Sequence, residues 1–113
     1  MTVLQTTLQF SNLQKIDIIY KNKVRRSEMP KVSSSQDGFD YLISIWSPQI
    51  ERLEEFVILC LNRANKVLGY SKISQGGISG TVADPKVIFQ VALKSNASSI
   101  ILAHNHPSGN TKP

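Results

Sequence analysis

The chain has one cysteine, Cys60, so no disulfide can form within its 113 residues. The cysteine lies inside the apolar run "FVILCL", where a small buried hydrophobe is expected, and a reducing, cytoplasmic setting follows. No stretch of 18 apolar residues occurs, which excludes a transmembrane helix of ordinary length. The opening "MTVLQTTLQFSNLQ" lacks a basic start followed by an apolar block, so a secretory signal is not expected. There is no internal repeat and no low-complexity tract. Only two histidines are present, His104 and His106, one residue apart.

What is present suits one small domain with a core: 41% of residues are hydrophobic and 19% charged. The net charge of +5 favours anionic partners. Five of the 13 basic residues, Lys21, Lys23, Arg25, Arg26 and Lys31, fall in one stretch. Two readings compete there, a surface facing nucleic acid and a solvated loop. No aromatic residue interleaves these cations as single-strand binding would favour.

Periodicity gives the elements. "KIDIIY" (15–20) alternates Ile16, Ile18 and Tyr20 and predicts a strand with one buried face. The basic stretch with Pro30 reads as a loop. Phe39, Leu42, Ile43 and Trp46 stand at i, i+3, i+4 and i+7, one face of a helix. Ser34 and Asp37 resemble a capping box, and Pro48 ends this helix. Trp46 is expected in the core rather than against a base. "EEFVILCLN" (54–62) reads as a strand buried on both faces, "NRAN" as a tight turn, and "KVLGYSKIS" (66–74) as its antiparallel partner. "QGGISG" (75–80) lacks the Lys-Ser/Thr of a P-loop and reads as a bulge or loop. Asp84, Pro85 and Asn96 punctuate a second helix with Val87, Ile88, Val91 and Ala92 on its buried stripe. "SSIILAH" (98–104) is a further buried strand. The order β-α-β-β-α-β predicts an α/β or α+β domain with helices on a mixed sheet.

The chemistry sits at the end of that last strand. Residues i and i+2 of a strand face one side, so His104 and His106 converge while Asn105 faces away. Pro107 keeps His106 extended, and Pro107 with Gly109 favours a type I turn directly afterwards. Two neutral imidazoles suit zinc, although a catalytic zinc ordinarily takes three protein ligands. A surface pair at a strand end is the alternative reading of the spacing. The letters H-N-H also evoke HNH nucleases, but those spread their residues over a longer ββα segment, so that reading is set aside.

"SSIILAHNHPSGNTKP" closely resembles the metal-binding segment of the RadC-like branch of the JAB/MPN (JAMM) metallopeptidases. "EEFVILCLNRANKVLGYSKISQGGISGTVADPKVIFQVALKSNA" fits the same domain, with "IDIIYKNKV" and "SSSQDGFDYLISIW" as its lead-in. The resemblance implies a cytidine-deaminase-like α+β domain over 13–113 behind an N-terminal extension over 1–12. It implies a short stand-alone form lacking the last helix and strands. It places two zinc ligands on His104 and His106. It places the proton-shuttling glutamate on Glu54, with Glu55 as competitor on the opposite strand face. The family's serine would follow Pro113 directly, and its aspartate, the third ligand, three residues later. The implied activity is zinc-dependent cleavage of an amide or isopeptide bond of an unidentified peptide or protein by zinc-bound water, in a family associated with DNA repair. The competing implication is a non-catalytic accessory of DNA repair or mobile-element biology that binds DNA or protein, with a weak DNA contact through Lys21, Lys23, Arg25 and Arg26. No membrane partner is expected.

Overall fold

The computed structural model describes residues 12–17, 19–21, 23–76 and 83–107. After a short 3-10 turn (Arg26–Glu28) come helix α1 (Ser35–Ile45), strands β1 (Glu55–Leu61) and β2 (Val67–Gln75), helix α2 (Pro85–Lys94) and strand β3 (Ser99–His104). The sheet order is β2-β1-β3, and both ladders are antiparallel. The fold is α+β, as expected. The mixed sheet is corrected in one respect: β2 and β3 run parallel, but β1 lies between them, so no parallel ladder forms among the described residues.

β1 is the centre. It is hydrogen-bonded on both edges, and all its residues but Phe56 are buried. Its alternation divides the core. Val57 and Leu59 pack with Leu42 of α1, with Ile101 and Ala103 of β3 alongside. Ile58 and Cys60 pack with Ile88 of α2, with Phe56, Leu68 and Ile100 alongside. The two helices therefore cover opposite faces of one sheet. The β1–β2 turn is closed by Asn62, whose Oδ1 accepts from the Ala64 and Lys66 amides at 2.9 and 3.0 Å. Asn65 takes the left-handed conformation there, with φ 61°.

Ser34 caps α1 by accepting from the Asp37 amide at 3.2 Å. The Asp37 carboxylate accepts from the Ser33 amide at 2.8 Å, one residue earlier than in a regular capping box. The helix buries a different face from the one periodicity suggested. Gly38 and Leu42 are buried, Tyr41, Ile45 and Trp46 pack against the core, and Phe39 and Ile43 are 58% and 48% exposed. Gly38 faces the sheet on this row, where a Cβ would meet Ile101 Cδ1 at 3.5 Å, an ordinary contact, and Phe39 is turned outward.

α2 follows its punctuation. Asp84 accepts from the Lys86 amide at 2.9 Å and Pro85 opens the helix. At the far end Asn96 adopts φ 59°, its amide bonds to Leu93 O at 3.1 Å, and the Ala97 amide bonds to Ala92 O at 3.0 Å. That is a Schellman closure with asparagine in the glycine position.

Two strand expectations are corrected. The described residues of 15–20 form no strand; Ile16 and Ile19 are 87% and 78% exposed, and Tyr20 anchors the segment by donating from its hydroxyl to Leu68 O at 2.6 Å. β3 is half-buried rather than buried, with Leu102 exposed, because only one of its edges is paired among the described residues. The expected loop over 75–80 lies outside the described residues except for Gln75 and Gly76, and the expected turn after His106 lies outside them beyond Pro107.

Candidate metal centre

Antiparallel register places Phe56 opposite His104, so the entry to β1 lies beside the exit of β3. Glu54 precedes β1 by one residue and continues the face that carries Phe56, Ile58 and Cys60. Its Oε1 is 3.6 Å from His104 Nδ1. One ligand atom from each of Glu54, His104 and His106 falls within 4.8 Å of the others. The three residues named from sequence are thus brought to one point. Glu54 is buried, His104 is exposed and His106 intermediate, so the cluster opens to solvent through the imidazoles.

Packing fixes the rings. His104 stacks on Phe56 with centroids 5.9 Å apart and planes at 17°. His106 meets His104 edge-on at 4.4 Å and 64°. Glu54 is held through its backbone, its carbonyl accepting from the Gly76 amide at 2.8 Å.

Glu55, the competitor, faces the α1 side. It is 2% exposed, accepts from the Ser47 hydroxyl, and lies 3.2 Å from Lys72 Nζ. Its carboxylate joins the end of α1 to β2 and has no part in the histidine cluster.

Asn105 is the residue whose role the sequence did not reveal. Its side chain points away from the histidines, as alternation requires, and into the backbone leading to β1. Its Oδ1 accepts from the Glu55 amide at 2.8 Å, and its Nδ2 donates to Ile50 O and to Leu53 O, the latter at 2.8 Å. These three bonds lie on both sides of Glu54 in sequence. The residue between the two histidines therefore sets where the carboxylate sits. The strand alternation was a signal for its direction; its partners became identifiable only with the β1–β3 register.

The donor set fits a divalent metal. Zinc holds nitrogen and oxygen ligands at about 2.0–2.2 Å, which places tetrahedral donors roughly 3.3–3.5 Å apart. Ligand atoms of the two imidazoles and the Glu54 carboxylate lie within 4.8 Å of one another, with Glu54 3.6 Å from His104, close enough for the histidines to hold a metal with the carboxylate beside it.

The family profile of the RadC-like JAB domain matches residues 32–113, from the approach to α1 through the histidine pair. The chain belongs to the RadC-like JAB domain family. Relatives of this RadC-like domain agree. A UPF0758 protein of Flavobacterium johnsoniae is 42% identical over 88 residues, covering 76% of this chain and 37% of the relative. A UPF0758 protein of Porphyromonas gingivalis is 40% identical over 93 residues, covering 80% and 40%. One of Rubrobacter xylanophilus is 34% identical over 101 residues, covering 89% and 44%. The chain spans about two-fifths of the length of the curated relatives it matches. Among the described residues no helix is long and apolar enough to cross a membrane.

Proposed function

We propose that this RadC-like domain is a zinc-dependent hydrolase of amide or isopeptide bonds. The observation that carries the reading is the convergence of Glu54 with His104 and His106 at the β1–β3 corner. His104 and His106 would hold the metal, and an aspartate from beyond residue 113 would be the third ligand. A zinc ion held there would supply an acidified water and polarise a carbonyl. Glu54 would be the general base, its carboxylate taking a proton and returning it to the amine nitrogen as the C–N bond breaks. Its burial beside the imidazoles suits that role, since the carboxylate has few competing partners. Asn105 keeps it in position from behind.

Metal analysis of the purified chain, and of one extended past Pro113 to include the expected aspartate, tests the site. The extended chain should carry about one zinc, lost on His104→Ala. Glu54→Gln should keep the zinc and abolish cleavage of a panel of linear and Lys-linked isopeptides. Loss of zinc in Glu54→Gln would make Glu54 a ligand instead of a base. An extended chain that binds no zinc overturns the proposal.

A further inference from the structure

We propose that a groove at the opposite end of the sheet binds the backbone of a single-stranded nucleic acid. The inference is independent of the hydrolase reading. Two adjoining hollows form the groove, of about 420 and 490 Å³, and they share Leu68 and Ser95. Lys21 and Lys23 of the N-terminal segment and Lys94 at the end of α2 line the first. Arg26, Arg63 and Lys66 line the second. Six of the chain's 13 lysines and arginines thus meet on one surface, and no acidic residue lines either hollow. Among the described residues none of the six makes an ion pair; the pairs present join Lys15 to Asp17, Lys72 to Glu55 and His104 to Glu54. Lys66 Nζ donates to Arg26 O at 3.2 Å, a neutral partner that leaves its charge uncompensated. Cations without a carboxylate partner gathered in a concavity raise the local concentration of anions.

Three features favour a single strand. The floor of the first hollow is apolar, with Val24, Leu68 and Val91. Tyr70 lines the same hollow and is 59% exposed, presenting a ring on which a base can stack. This supplies the aromatic that the linear run of cations lacks, because β2 brings it in from fifty residues away. Each hollow falls within the roughly 300–1,000 Å³ of small-molecule clefts, room for a nucleotide apiece. A duplex hides its bases and has no use for an apolar floor, and a flat anionic membrane would not enter a concavity. Backbone-tracking cations with a stacking ring are the general means of holding a single strand. Arg25 and Lys31, neighbours in sequence, do not line the groove.

The test is anisotropy of a labelled ten-residue oligothymidylate with the full chain. Four phosphate contacts give a salt slope of about −2.8 for a single strand, so raising salt fourfold, from 25 to 100 mM, should weaken binding about 50-fold. Lys23→Glu with Arg63→Glu, one change per hollow and both at exposed positions, should weaken binding at least tenfold. Lys86→Glu, outside the groove, should change it less than twofold. Tyr70→Ala should cost on the order of tenfold with the salt slope kept. In the unaltered chain, amide shifts on adding the oligonucleotide should centre on residues 62–68 and 94–98 and spare 104–107. No salt-dependent binding, equal binding by the double variant, or shifts centred on the histidine corner overturns the proposal. Tighter binding of a duplex overturns the single-strand assignment, and tighter binding of an oligoglutamate of equal charge assigns the groove to an acidic peptide instead.

Discussion

Asn105 shows how much a single side chain can determine. Three hydrogen bonds from one amide connect the end of β3 to the backbone around Glu54. Removing it leaves one N–H and two carbonyls short of partners in a half-buried place. Asn105→Ala should destabilise the fold by about 2–3 kcal/mol in urea titration and lower metal affinity as well. Asn105→Asp should be no better, since a carboxylate can accept from Glu55 but faces two carbonyl oxygens. His104 and His106 were indicated by a strand's alternation and a specific motif, and Glu54 only by the family's register; the structure brings the three together. Asn105 was legible only in direction, since hydrogen-bond partners fifty residues away depend on register. Cys60 behaves as its run suggests. Burial pushes its thiol up, partly opposed by a hydrogen bond with Ser95. A raised thiol is more protonated when folded than when unfolded, so this contribution to stability is full below the unfolded value and declines as pH rises toward the folded one. Alkylation at pH 8 should be at least about tenfold slower in the native chain than in urea, as read by mass spectrometry.

Among the elements, α1 carries the sharpest lesson. The templates 38/41/42/45 and 39/42/43/46 share Leu42, and apolar counting prefers the second because a glycine adds nothing to the count. The structure takes the first, with Gly38 buried beside Leu42 and Tyr41 and Ile45 packed against the core. Leu42→Ala should cost about 2–4 kcal/mol. Phe39→Gln, by contrast, should change stability by less than about 0.5 kcal/mol by the same denaturation measurement. At Gly38 an added methyl meets ordinary van der Waals contact, so Gly38→Ala should stabilise by about 0.5–1 kcal/mol through helix propensity. The hairpin and α2 were legible almost to the residue because their signals are local: Asn62–Asn65 turn chemistry, an Asp-Pro start, and an asparagine able to take positive φ. The 15–20 segment was misjudged for the complementary reason. Its pattern is that of a strand, but its described residues form no backbone ladder and are joined to β2 by the Tyr20 hydroxyl instead.

For the whole molecule, the sheet places the two surfaces at opposite ends of one face. Six residue steps along the chain separate Glu54 from Cys60, which at about 3.3 Å each is roughly 20 Å. β1 is bonded on both edges and covered on both faces, so there is no low-cost way to open part of it. Amide hydrogen exchange along 56–61 should therefore proceed only through global unfolding. The metal corner rests on the first residues of that strand. If the corner binds a metal as proposed, that metal at 100 times its dissociation constant would add about 2.7 kcal/mol to the folded state. Exchange should then slow about 100-fold, and by the same factor at Cys60 as at Phe56, although Phe56 lies beside the histidines and Cys60 far from them. A ligand bound at one corner would in this way be felt as a longer lifetime for the whole strand.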